Sequence, residues 1–131
     1  MRSLLFSILC GVVAQLVPVP AAAADILGTA GKLAGLRQVN SGSDNFGKYH
    51  GSVWVDAGKN NLTEYYWGGS SCPGLNLTED EVANLSRGLG NPRLRFVPIY
   101  KIGQGGRLCL VQFLIVDKKV VDAVDPFPFG N

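Results

Sequence analysis

The chain has 131 residues, 47% of them hydrophobic and 17% charged, which excludes a disordered charged tail and leaves room for one small domain. Twelve basic residues against ten acidic ones give a formal charge of +2. With no run of four basic residues, the balance gives neither duplex nucleic acid nor an anionic membrane surface a footprint.

Arg2 opens a positive start, Leu4 to Val17 is apolar except at Ser7, Gly11 and Gln15, and Pro18 and Pro20 precede the alanines ending at Ala24. This is the plan of a secretory signal peptide over residues 1–24, with Asp25 as the mature N-terminus. The apolar run is shorter than the ~20 residues a membrane span needs. Cys10 follows Leu9, not the small residue expected before a lipid-bearing cysteine, so it leaves with the signal peptide. Cys72 and Cys109 then remain, and an even pair in an exported chain reads as one disulfide. A periplasmic or secreted location is expected, with no stable membrane span after cleavage.

Over Asp25–Leu36 the apolar residues Ile26, Leu27, Ala30, Leu33 and Leu36 fall near helical spacing, interrupted by Gly28, Gly31 and Gly35. Each glycine costs about 1 kcal/mol inside a helix, so residues 25–48 read as a flexible segment with a marginal helix, and the folded domain as residues 49–125. Ser52–Asp56 and Leu62–Trp67, rich in β-branched and aromatic residues and separated by Ala57-Gly58-Lys59-Asn60-Asn61, predict a hairpin. Thr78 followed by Glu81 predicts a capping box, and Val82, Leu85 and Leu89 give a helix from Glu79 to about Leu89 that ends at Gly90-Asn91-Pro92.

Leu94–Lys101 predicts a strand in which Pro98 marks an edge or a bulge. Leu108–Val116 is apolar on both alternating faces, Leu108, Leu110, Gln112, Leu114 and Cys109, Val111, Phe113, Ile115, as a central strand would be. The helix is expected on the second of these faces. Val120–Val124 reads as a short last strand, and residues 126–131 as an extended tail whose Phe127 and Phe129 dock back or meet a partner. The expected fold is α+β: a small antiparallel sheet in ββαβββ order, one helix on one face, stapled by Cys72–Cys109.

Chemistry-bearing groups are few. His50 is the one histidine, so a histidine-built zinc site is excluded, and neither a metal nor a cofactor is expected. Glu79, Asp80 and Glu81 are accounted for by the helix start. The glycine-rich loop between Lys101 and Arg107 joins two strands rather than opening a helix, which removes the nucleotide-loop reading and leaves a plain flexible hairpin, with an anion site built from amides as the alternative. Tyr65, Tyr66 and Trp67 alternate faces, so one face must carry a ring away from the other two. Asn61, Asn76 and Asn84 begin N-glycosylation triplets. The favoured function is a non-enzymatic exported module binding a protein or an envelope glycan through the strand of Tyr65, Tyr66 and Trp67 and the adjacent Gly68–Gly74 loop, with Lys101 and Arg107 as further candidate ligand-binding residues and no nucleic-acid partner. The alternative is a small hydrolase pairing His50 with Asp56 or Glu64.

Overall fold

The computed structural model describes residues 23–123; residues 1–22 of the expected signal peptide, with Cys10, and the expected tail over residues 126–131 lie outside the described residues. The elements are β1 (Ile26–Leu27), β2 (Lys32–Gln38), β3 (Gly51–Asp56), β4 (Leu62–Trp67), α1 (Glu79–Gly88), β5 (Leu94–Ile102), a 3-10 turn (Gln104–Gly106), β6 (Leu108–Asp117) and α2 (Lys118–Ala123). The hairpin, the helix and the two long later strands match the sequence expectation closely.

The N-terminal segment does not. Residues expected to form a marginal helix are strands: β2 pairs antiparallel with β3, and β1 with β5. Between them Gly31 exchanges backbone hydrogen bonds with Phe96, at 3.0 and 2.8 Å. A Cβ on Gly31 would collide with the Asp56 carbonyl, so the chain turns the corner from β5 to β3 only because the residue there has no side chain. Backbone partners supplied from far along the chain outweigh the helical spacing.

The sheet order is β1-β5-β6-β4-β3-β2. Because β1 and β2 are halves of one bent segment bridged to β5 at Gly31, the sheet closes on itself as a five-stranded barrel. Its pairings are all antiparallel except β4 with β6, which run parallel through the register pair Tyr66–Cys109. The antiparallel sheet expected from sequence is therefore mixed, and the observed order is ββββαββα rather than ββαβββ. A bent first strand shared by the second and fourth strands of the barrel, with the third and fifth parallel, is the connectivity of the OB fold, a five-stranded Greek-key barrel.

Two bulges set which side chains fill the barrel. The β2–β3 register shifts between Leu33 and Gly35, and that of β5–β6 between Ile99 and Tyr100. The first lets Leu33 and Leu36 both join the core, and the second, with Val111 as the extra residue of β6, brings Leu108, Leu110, Phe113 and Ile115 to one side. The two alternating faces read from β6 are thus spliced at Val111, since a one-residue insertion exchanges the faces of everything beyond it. Trp67, Phe96, Leu110, Val53 and Val55 fill the interior with Leu85 from α1.

The capping box forms as expected: Glu81 N donates to Thr78 Oγ1 at 3.2 Å, and Thr78 N donates to Glu81 Oε1 at 3.4 Å. Leu85 is buried and Val82 packs beside it, but Leu89 caps the helix and is 43% exposed. Pro98 lies opposite Phe113 with its nitrogen toward the first strand. There the chain between Leu27 and Gly31 leaves a gap in the ladder, and only the Pro98 carbonyl is used, accepting from Gly28 N at 2.8 Å. Of the expected last strand at Val120–Val124, residues 120–123 belong instead to α2 and Val124 lies outside the described residues. Asp117 Oδ1 accepts from Lys119 N at 2.8 Å, capping a helix that lies against β5 and β6.

Cys72 and Cys109 are bonded, their Cα atoms 5.6 Å apart and 37 positions apart in sequence. Closing such a loop contributes about 4 kcal/mol in the chain-entropy description. Reduction should lower the thermal midpoint by roughly 15 °C or more for a domain of this size; paired melts with and without reductant measure it, and coincident melts would refute a structural role for the bond.

Candidate functional site

Cross-strand register identifies a row of neighbours on the outside of the barrel: Arg37 opposite Ser52, Ser52 opposite Tyr66, Tyr66 beside Cys109, and Cys109 opposite Lys101. Residues paired across a sheet share a face. The adjoining row is Gly35, Trp54 and Glu64. Among the described residues no helix packs over β2, β3 and β4 on this side, and polar and aromatic side chains finish the surface there as a connected array, while Ser71 and Gly103 close over the fully buried Cys109.

Glu64 is its electrostatic hub. Ser52 Oγ donates to Glu64 Oε1 at 2.7 Å and Tyr66 OH donates to Oε2 at 2.7 Å. Arg37 Nη1 lies 3.9 Å from Oε1 and donates to Tyr49 OH at 2.9 Å. The Arg37 guanidinium stacks 4.9 Å from the Trp54 ring centre and 5.8 Å from that of Tyr49. Arg107 repeats the arrangement, 4.5 Å from Tyr66 and 5.9 Å from Tyr49. The sequence of contacts is Trp54, Arg37, Tyr49, Arg107, Tyr66: rings and cations in alternation. The Trp54 indole lies across Gly35, where a Cβ would stand 2.9 Å from the ring.

The loops at the Tyr49 end are knitted to one another. Ser70 N donates to Gly47 O, Ser71 N to Lys48 O and Gln104 N to Ser71 O, at 2.9, 2.8 and 2.9 Å. The bridged Cys109 Sγ, which carries no proton, packs 3.4 Å from Ser71 O. In the glycine-rich loop the amides of Gly103, Gln104 and Arg107 all have backbone acceptors. That loop positions Arg107 and is not an open cradle of amides.

The candidates read from sequence separate cleanly. Tyr65 and Trp67 are interior residues, and Tyr66 alone of the three belongs to the outer array. Lys101 is in the outer row and pairs with Asp25 at 3.5 Å. Arg37, Tyr49, Ser52 and Trp54 were not singled out by sequence, although pairing the predicted hairpin across its turn already sets Trp54 opposite Glu64. The ring of His50 stacks on Phe46, with centroids 4.1 Å apart, and among the described residues it makes no ion pair or side-chain hydrogen bond with a carboxylate. Asp56 is at the far end of β3 from it. Asn61, Asn76 and Asn84 are all exposed.

Clefts of about 190 and 230 Å³ lie around Lys32 and Asp56, and one of about 380 Å³ lies along α1 beside Phe113 and Ile115. None of these clefts is lined by the array. Among the described residues no group of three or more His, Cys, Asp or Glu side chains is placed to hold a metal ion. No family model, curated protein or solved structure matches the chain.

The Tyr66 hydroxyl is held above its ordinary pKa by burial first and by its hydrogen bond to Glu64 and that carboxylate's charge next, with Arg107 pulling the other way. Glu64→Gln should therefore lower the Tyr66 pKa and Arg107→Gln should raise it, as read by ultraviolet difference titration against a Tyr66→Phe reference. The Tyr65 phenol is pushed up to about 12 by burial, then by Tyr100. Its raised folded pKa stabilises the protein fully below pH 10.0, the unperturbed value, and that contribution is lost as pH climbs through about 12. Urea titrations across this window should show stability falling, and Tyr65→Phe should flatten the decline.

Proposed function

We propose that this chain is a small exported, non-enzymatic binding module that presents the outer face of β3 and β4 to a glycan. The observation that carries the reading is the alternating stack of Trp54, Arg37, Tyr49, Arg107 and Tyr66 on that face, flanked by the Asn40–Tyr49 and Gly103–Arg107 loops. In barrels of this connectivity the corresponding strands and loops are the usual seat of oligosaccharides and oligonucleotides. Fold alone carries no function, and the chemistry is supplied by the residues on that face.

Bases need open ring faces to stack on, whereas Tyr49 is only 7% exposed beneath two guanidinium groups. Sugars instead take hydrogen bonds in their ring plane, and Arg37, Arg107 and the Tyr66 hydroxyl place polar groups along one surface. Among the described residues catalysis lacks an accessible nucleophile activated by a base: His50 stacks on an aromatic ring, and Ser52, which donates to Glu64, is fully buried.

A glycan array probed with the wild-type protein and with Arg37→Ala and Trp54→Ala is the test. At least one glycan should be retained, its affinity should fall tenfold or more in both variants, and mass spectrometry should recover it uncleaved. An array with no retained glycan, retention indifferent to both changes, or cleavage of the retained glycan would overturn the reading.

A further inference from the structure

We propose that the segment Asp125-Pro126-Phe127-Pro128-Phe129 of this chain adds to β6 as an antiparallel strand beyond Cys109 and seats its two phenylalanine rings in the cleft between β6 and α1. β6 pairs with β5 from Leu108 to Asp117, but it meets β4 at the single register pair Tyr66–Cys109. From Val111 onward, among the described residues, no strand borders its β4 side. Alternate residues there direct an N–H and a C=O outward, which is the template on which an extended segment pairs. The side chains are short of cover as well. Val111, Phe113, Leu114, Ile115 and Val116 are apolar, yet not one residue from 111 to 117 is buried. Beside them a cleft of about 380 Å³ is lined by Asn84, Arg87, Gly88, Leu94, Phe113 and Ile115. An apolar cavity of roughly 150 Å³ already holds a benzene ring.

Reach and residue order select the occupant. α2 starts directly after β6 and lies against β5 and β6, and a helix of its length carries the chain no more than about 9 Å from the foot of β6. Phe127 and Phe129 follow Ala123 in the sequence by about 13 and 20 Å of extended chain. That lets Phe127 return to the foot of β6 and Phe129 come level with Ile115. A chain that doubles back after so short a connection runs antiparallel to the strand it left. The two prolines fix φ in the extended range and exclude a helix. In a strand, positions 127 and 129 share one face and one edge, and positions 126 and 128 the others. In this pairing both rings turn to the side of Phe113 and Ile115, and both phenylalanine N–H groups point at β6. The opposite edge carries the prolines and cannot donate, so pairing stops with this strand. A segment tethered to the cleft is also present at about millimolar effective concentration, which favours it over a free peptide or a second copy. The surface shares no residue with the outer array.

Nuclear magnetic resonance of the intact, isotope-labelled protein at two concentrations is the test. The Phe127 and Phe129 amides should exchange roughly a hundredfold more slowly than in a free peptide of the same sequence. The Phe129 ring should show through-space contacts to the methyl groups of Ile115 and Leu94, and neither result should change on dilution. Phe127→Ala and Phe129→Ala should each shift those methyl resonances and lower the melting midpoint by about 5 °C. Amides that exchange at the free-peptide rate, rings that contact another part of the barrel, or midpoints indifferent to both alanine changes would overturn the inference. A sample mixed from two differently labelled preparations separates the remaining case: contacts seen only between copies would make a second copy the occupant and overturn it equally.

Discussion

Two antiparallel units, β2-β3-β4 and β1-β5-β6, meet through one parallel register pair, Tyr66 with Cys109. Parallel pairing is the weaker kind per residue, and a single pair contributes little cooperative hydrogen bonding. The disulfide is placed at this junction, on Cys109 itself, and draws in the chain that leaves β4. The opposite seam is closed by Gly31, whose missing side chain permits the approach of Asp56. A barrel held at one seam by a covalent bond and at the other by a glycine needs no second layer. A single amphipathic helix, inserting Leu85, is enough to finish its interior.

The same junction shapes the outer surface. Ser71, next to Cys72, receives the amide of Gln104 and donates to Lys48, so the loops before β3 and before β6 are fixed to one point. Tyr49 and Arg107 lie at the ends of those loops. Their contact, and the approach of Arg107 to Tyr66, follows from where the bond is made. Arg37 arrives from β2 by register, opposite Ser52. The ring and cation series is therefore assembled from four separate stretches of chain, and its order is imposed by the barrel rather than by any local motif.

This explains what could be read in advance. The hairpin and α1 are local: β-branched alternation defines the first, and Thr78 with Glu81 starts the second. Cys72–Cys109 was legible because assigning Cys10 to the expected signal peptide leaves two cysteines to pair. The first strand was not legible, since Gly28, Gly31 and Gly35 look like helix defects until Phe96 and Asp56 are seen to crowd the backbone there. The helix does lie beside Phe113 and Ile115, as the sequence implied, but that Leu108 and Leu110 share their side was not legible, because no residue type announces a bulge at Val111. For α2, two adjacent valines pointed to a strand, and the Asp117 cap together with the lack of a strand partner prevailed. At the candidate site, Tyr66 and Arg107 stood out as residue types in conspicuous company. Tyr65 and Trp67 shared that company and proved to be core, while Tyr49, Ser52 and Trp54 acquire their meaning only across strands.

The bent first strand also bears on how the chain reaches this state. Its residue Ile26 pairs with Tyr100 and Leu27 with Ile99, so the earliest strand to leave the ribosome must await almost the latest. Contacts so distant in sequence slow folding, since loop entropy is lost before they form. Until β5 has been synthesised the barrel has an open seam, and the nascent chain has no complete structure to resist being threaded. The thiols of Cys72 and Cys109, 37 positions apart, are subject to the same delay, since they can be joined only once β6 has followed β5 into place.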